Sequence, residues 1–262
     1  MLSYVFAALS ALGSILLVFG TQIHWLWILP ICVGMYVALN AFFFLGLWFS
    51  TIFLPKKDPI DKPRNFDGII QFVCDWVMTC LRVKISFEGM EKFPKEPFVL
   101  VSNHVSNFDP VVVLAKVKRR KIAFISKPSN FKIPVAGPYT HNAGFLAIDR
   151  QNAMKAMRTI KRASELVVSE QMIMGIYPEG TRSKTGELLE FKEGAFLLAK
   201  RAKAPVVVIT TKGTNKIAKR MILRSTKVEL NVIEIIDAET VQNMKLGDLS
   251  AHVRESIANA LQ

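Results

Sequence analysis

Phe98-Val99-Leu100-Val101-Ser102-Asn103-His104-Val105-Ser106-Asn107-Phe108-Asp109-Pro110 is the stretch that decides the fold. An apolar run suited to a buried strand gives way to small polar residues. Asp109-Pro110 then suits the start of a helix, with Asp as N-cap and Pro at the first helical position. A strand that turns into a helix opens an α/β unit. The same stretch sets a histidine and a carboxylate five residues apart. On a regular helix their side chains would stand about 140° apart, so they meet only if the segment turns. Once they meet, the carboxylate fixes the imidazole tautomer and leaves the other ring nitrogen free to take a proton. The competing reading is a surface histidine beside a capping aspartate.

Further strand-like runs occur at 83–88, 122–126, 144–148, 172–177, 206–211 and 227–236. Helical patterns lie between several of them, at 110–118, 152–169, 193–203 and 248–261. Such alternation predicts an α/β domain with a mixed, largely parallel sheet flanked by helices, and ligands bound beyond the strand ends. Residues 66–82 carry a helical apolar stripe through Ile69, Phe72, Val73, Trp76, Val77, Cys80 and Leu81. It suits either packing on the domain core or lying on a membrane.

The N-terminal part differs in kind. Residues 1–55 contain no Lys, Arg, Asp or Glu, and the first charge is Lys56. Two apolar runs, Leu2 to Gly20 and Trp25 to Leu54, flank Thr21-Gln22-Ile23-His24. At 1.5 Å per residue the first reaches roughly 28 Å and the second more, close to the ~30 Å of a bilayer core. A membrane-embedded helical hairpin over 1–55 and a second domain over 56–262 follow. The N-terminus lacks the basic region and small-residue site of a cleavable signal. Crossing the bilayer and entering one leaflet both fit the pattern, and both return residue 56 to the side of residue 1. Lys56, Lys57, Lys62 and Arg64 predict that this side is cytoplasmic, with the protein in the cell membrane.

Because 1–55 is neutral, the whole formal charge of +13 belongs to the rest. A basic body on a bilayer predicts anionic headgroups or phosphorylated substrates as partners. No nucleic-acid partner is expected, since zinc-finger spacing and an aromatic-glycine RNA signature are both missing. Cys32, Cys74 and Cys80 have no pairing or metal spacing, which suits reduced structural thiols. No metal site is expected, as His24, His141 and His252 do not cluster with His104 in sequence.

A second constellation follows the run at 172–177, namely Tyr177-Pro178-Glu179-Gly180-Thr181-Arg182-Ser183. Pro and Gly bracket the carboxylate in a sharp turn, Gly180 permits close backbone approach, and Arg182 offers a planar fork for phosphate. An ordinary polar loop is the alternative for this segment alone. Asn103, His104, Ser106 and Asp109, followed about seventy residues later by Pro178 to Ser183, resemble the glycerolipid acyltransferase family, in particular its 1-acyl-sn-glycerol-3-phosphate (lysophosphatidic acid) acyltransferases. Lys127, Pro134, Gly137 and Gly144-Phe145-Leu146-Ala147-Ile148-Asp149-Arg150 resemble the second block of that family, and Phe191-Lys192-Glu193-Gly194-Ala195 the segment after the third. The resemblance covers roughly 85–212, and the hydrophobic hairpin is similar to that of bacterial members. In the fourth block Val208 stands where a second proline is usual, and Lys127 lies one residue further from Pro134 than the pattern has it.

The resemblance implies acyl transfer from a coenzyme A or acyl carrier protein thioester to the sn-2 hydroxyl of lysophosphatidic acid, with no cofactor beyond that co-substrate. His104 is the implied base and Asp109 its orienting acid. Lys127, Arg150, Glu179, Gly180, Thr181 and Arg182 are the implied substrate-binding residues, and backbone amides around Gly180 are candidates for the oxyanion. Ser106 is expected to support the turn. Alternatives are a glycerol-3-phosphate or other lysophospholipid acyltransferase, a non-catalytic lipid-phosphate binder, and metal-dependent phosphoester hydrolysis.

Overall fold

A computed structural model describes residues 2–55, 62–221 and 224–262. It divides into two compact units, Met1–Leu54 and Pro55–Gln262. In the first, helix α1 (Leu2–Thr21) and helix α2 (Ile28–Ser50) pack on each other, joined through a 3-10 turn at Trp25–Trp27. A second 3-10 turn, Thr51–Phe53, ends the unit. The polar interruption 21–24 thus makes the connection between the two helices. Both are long and apolar enough to cross a membrane, over Tyr4–Thr21 and Trp25–Phe53. Most of their large apolar side chains, such as Leu16, Phe19, Leu29, Val37 and Phe42, are exposed, whereas Ser10 and Ser14 are buried. That inversion of the usual soluble pattern suits an apolar solvent, in which small and polar side chains make the helix contact. Of the basic cluster beside α2, Lys56 and Lys57 lie outside the described residues.

The second unit is a seven-stranded sheet flanked by helices. Its elements run α3 (Asp67–Cys80), β1 (Val83–Glu88), β2 (Val99–Ser102), α4 (Asp109–Lys116), β3 (Ile122–Ser126), α5 (Ala136–Asn142), β4 (Leu146–Ala147) and α6 (Ala153–Ser169). The chain continues through β5 (Ile173–Ile176), α7 (Leu197–Ala202), β6 (Val206–Lys212), α8 (Ile217–Arg220), β7 (Thr226–Ile236), α9 (Ala238–Asn243) and α10 (Leu246–Leu261). The strand order is β1-β7-β6-β2-β5-β3-β4. Among the described residues only β6 and β7 pair antiparallel and every other pair is parallel, so β1 and β7 run opposite to the other five strands. The central strands β2, β5 and β6 are buried on both faces, which is why they read as unbroken apolar runs.

Several expectations shift. The run at 144–148 narrows to Leu146–Ala147, an edge strand that pairs only with Ile125 and Ser126. The pattern at 193–203 resolves into a 3-10 turn, Glu193–Ala195, and α7, which ends where Lys203 takes a left-handed conformation. Helices α5, α8 and α9 were not foreseen. In α5 the sequence Ala-Gly-Pro reads as a breaker, yet Pro138 sits in the first turn, where its missing N–H costs nothing. Helix α3 packs on α4 and β1, but it buries Ile70, Cys74 and Met78, while the expected stripe of Ile69, Phe72, Val73, Trp76, Val77, Cys80 and Leu81 is only partly buried.

Candidate active site

The parallel strands point their carboxyl ends at one edge of the sheet. Residues 103–108 follow β2, Lys127 follows β3, Arg150 lies three residues after β4, Tyr177–Ser183 follow β5, and Thr214 follows β6. Adjacent strands β6, β2 and β5 therefore bring residues distant in sequence to a common place, the usual ligand edge of such sheets.

The turn after β2 brings His104 and Asp109 together. His104 Nδ1 donates to Asp109 Oδ2 at 2.7 Å, and the imidazole is largely buried, so it is no surface histidine beside a cap. Asp109 is 0% exposed and surrounded by donors. The amides of Val105 and Ser106 each donate to Oδ2 at 2.8 Å, and Thr214 Oγ1 donates to Oδ1 at 2.5 Å. Asp109 was expected at the N-cap; instead Phe108 is the N-cap and Asp109 the first helical residue. The physical reason is that its carboxylate is drawn back across the turn to the amides before it. With Nδ1 carrying the proton toward a carboxylate, Nε2 is the nitrogen left to accept one.

Two further clamps hold this turn. Asn103 Nδ2 donates to Thr211 O at 3.0 Å while Thr211 N–H donates to Asn103 Oδ1 at 2.8 Å, so the side-chain amide extends the β2–β6 ladder by one more rung. On the other side, Glu179 Oε1 accepts the His104 amide at 2.5 Å, Glu179 Oε2 accepts the Leu189 amide at 3.1 Å, and Ser183 N–H donates to His104 O at 2.8 Å. Glu179 is 4% exposed. The resemblance implies it as a substrate-binding residue that positions either the glycerol or the loop, and its two hydrogen bonds tie the β5 loop to the backbone of His104. Burial holds its carboxyl above the ordinary value, and the two amides offset only part of that rise. Ser106 supports the turn, its Oγ accepting the Phe108 amide at 3.2 Å.

Gly180 takes φ +68, a conformation that glycine adopts without strain. Its own amide closes a turn onto Tyr177 O at 3.0 Å, so it is not available to an oxyanion. The amides of Thr181 and Arg182 have no acceptor among the described residues. The aliphatic stem of Lys192 lies over Gly180, where a Cβ would meet Lys192 Cε at 2.9 Å. Lys192 therefore adds a cation beside this loop that the sequence reading left without a role. Lys127, Arg150 and Arg182 are exposed, and none has an acidic partner among the described residues.

Three residues of the site were given no role of their own from sequence. Thr211 and Thr214 read as parts of a strand and its following loop, and Tyr177 as the end of β5. The Tyr177 ring stacks on His104 with centroids 4.2 Å apart and planes 17° apart. Burial and the charge of Asp109 push its phenol well above the ordinary value, so the ring stays neutral.

Residues 84–212 match the model of the Acyltransferase family. A 1-acyl-sn-glycerol-3-phosphate acyltransferase of Saccharomyces cerevisiae is 27% identical over 186 residues, covering 70% of this chain and 61% of that protein. The chloroplastic 1-acyl-sn-glycerol-3-phosphate acyltransferase LPAT1 of Arabidopsis thaliana is 40% identical over 136 residues, covering 51% of this chain and 37% of the relative. The beta enzyme of that name from Homo sapiens is 34% identical over 142 residues, covering 53% and 51%. The matched part thus spans about two fifths to three fifths of these relatives. The crystal structure of the 1-acyl-sn-glycerophosphate acyltransferase PlsC from Thermotoga maritima shares the fold, with a TM-score of 0.63 at 24% identity over 84% of this chain and 87% of that one. The His104–Asp109 pair and the Glu179 clamp both lie inside the segment, residues 84–212, that matches the Acyltransferase family.

Proposed function

We propose that this protein transfers an acyl chain from a thioester to the sn-2 hydroxyl of 1-acyl-sn-glycerol 3-phosphate, giving phosphatidic acid. The observation that carries the reading is the His104–Asp109 contact at 2.7 Å within an acyltransferase-family domain. An alcohol holds its proton about as tightly as water does and attacks a thioester poorly unless that proton leaves as the bond forms. His104 Nε2 takes the proton while the sn-2 oxygen bonds to the thioester carbon. The tetrahedral intermediate then collapses, the C–S bond breaks, and the imidazolium returns its proton to the departing sulfur. Atoms and charge balance without a covalent acyl-enzyme. Asp109 holds the tautomer and faces the positive charge on the ring. The free amides of Thr181 and Arg182 are the donors best suited to the oxyanion.

Arg182, with Lys127 and Arg150, binds the phosphate and so decides which hydroxyl meets His104. Their lack of an acidic partner among the described residues supports that role. In this reading the hairpin of residues 1–55 lies in the membrane, residues 56–262 work at its cytoplasmic face, and the acceptor reaches the site from the bilayer. Lys62 and Arg64, with the net charge of +13, support that orientation. The acyl donor is a coenzyme A or acyl carrier protein thioester, and no metal or other cofactor takes part.

The test is an assay of the purified full-length protein with lysophosphatidic acid and glycerol 3-phosphate as acceptors, each with both donors and a ladder of chain lengths. Turnover is expected with lysophosphatidic acid, insensitive to chelators. Transfer to glycerol 3-phosphate alone would move the acceptor one acylation earlier. Phosphate-lipid binding without any transfer would make the protein a binder.

A further inference from the structure

The hydrogen bond to Asp109 fixes one atom of the His104 ring, but rotation about the Nδ1–H axis still sweeps Nε2 through an arc. Something else must hold the plane. Tyr177 lies against one face of the imidazole, nearly parallel at 4.2 Å. Behind it, Phe124 of β3 stacks on Tyr177 with centroids 5.7 Å apart and planes 11° apart. Phe124 is paired in register with Gly175 of β5, and a Cβ at Gly175 would run into the Phe124 ring. Glycine inside a strand weakens it, so its presence there marks a close approach. Here the approaching group is the outermost ring of the stack.

The Tyr177 hydroxyl is buried and has no hydrogen-bond partner among the described residues. An orphaned buried hydroxyl is a cost to the fold, so the hydroxyl does not explain the residue. Its ring does. A flat face against the imidazole restricts swinging, and the electron-rich surface of a phenol favours the imidazolium that forms when His104 accepts a proton.

We propose that the Phe124–Tyr177–His104 stack, seated on the gap left by Gly175, sets the plane of the His104 imidazole, making Tyr177 a positioning residue that acts through its ring and not its hydroxyl. The proposal rests on the acyl-transfer reading only for its kinetic consequence.

The experiment compares full-length wild type, Tyr177→Phe and Tyr177→Leu in detergent micelles, with ¹³C-labelled histidine. A proton above an aromatic face resonates upfield, so the His104 Cε1–H signal, assigned by its loss in His104→Ala, is expected upfield in wild type and Tyr177→Phe. In Tyr177→Leu it is expected to move downfield toward the free imidazole position. Tyr177→Leu should also lower kcat roughly 10- to 100-fold, the scale of a misplaced reacting group. The KM for lysophosphatidic acid should stay within about twofold, because phosphate binding is untouched. Tyr177→Phe should restore the rate. Phe124→Leu, which loosens the stack from behind, should move signal and kcat in the same direction by less, and it carries the test if Tyr177→Leu does not fold.

A Tyr177→Phe loss as large as that of Tyr177→Leu would assign the function to the hydroxyl and overturn the proposal. So would an unmoved His104 signal with normal kcat in Tyr177→Leu. Failure of the acyl-transfer reading is separately visible, because wild type would then show no transfer while the resonance still reports the stack.

Discussion

The groups beneath His104 and the cations around it are built on opposite rules. Asp109, Asn103, Glu179 and Thr214 are all nearly inaccessible to water, and each is hydrogen-bonded within the protein. Lys127, Arg150 and Arg182 are exposed, with no acidic partner among the described residues. The contrast teaches which tasks must be settled before substrate arrives. Proton transfer needs an imidazole already oriented, because reorganising it during the reaction would add to the barrier. Phosphate binding needs the reverse, since a cation paired in advance would have to give up its partner.

If this division is right, the inner groups should act mainly on kcat and the outer ones mainly on KM. The largest effect is expected for His104→Ala, a fall of roughly 10²- to 10⁴-fold in turnover with the protein still folded. Asp109→Asn should come close to it. A neutral amide no longer faces the positive charge on the imidazolium, and turned with its NH₂ toward His104 it cannot accept from Nδ1–H, so the tautomer that frees Nε2 is less favoured. Steady-state kinetics with circular dichroism on both variants checks this, and near-normal turnover in His104→Ala would remove the mechanism.

Thr214→Val gives a sharper probe, because it keeps the shape and deletes one donor to Asp109 Oδ1. Leaving a buried carboxylate short of one hydrogen bond costs about 1–3 kcal/mol. A fall of roughly tenfold in kcat is expected, with a lower Tm and an unchanged KM. A change in KM alone would put Thr214 with the binding groups and blur the division.

The same contrast explains what could be read in sequence. His104 and Asp109 were legible because a strand, a turn and a helix start bring them together within six residues of chain, and local rules govern such a turn. The helix pair was legible because two long uncharged apolar runs are parted by a short polar interruption. Thr211 and Thr214 were not, since their partners Asn103 and Asp109 lie more than a hundred residues away and only the β6–β2 pairing joins them. The role of Glu179 was undecidable for a related reason. A carboxylate beside a glycine serves a ligand or a backbone equally well until its neighbours are known, and here they are the amides of His104 and Leu189. The reversed direction of β1 and β7, which run together and opposite to the other five strands, also leaves no local mark.

On the outer side, Arg182→Lys should raise the apparent KM for lysophosphatidic acid several-fold, because Lys keeps the charge but loses the bidentate fork. Some fall in kcat should follow as the sn-2 hydroxyl drifts from His104. Neutral lysolipid acceptors should be much less affected, and equal loss on both would make Arg182 a support of its loop, passing the phosphate to Lys127, Arg150 or Lys192.

The smallest effect on catalysis is expected at Cys74, which separates burial from function. Like Asp109 it is buried and ionisable, but burial, with the charge of Asp75 second, pushes its thiol up to about 12. No group there favours the charged form, whereas Asp109 is met by donors on both oxygens. At pH 8 a thiol of that kind is about one part in ten thousand thiolate, and the thiolate is the reactive species. Cys74 should therefore resist maleimide in the folded protein until the pH approaches that value, and Cys74→Ala should leave kcat and KM unchanged while lowering Tm slightly. Cys80, raised by burial to a lesser degree and only half-buried, should label first. Mass spectrometry of the labelled peptides reads the order directly, and rapid labelling of Cys74 at neutral pH would mean that α3 opens there.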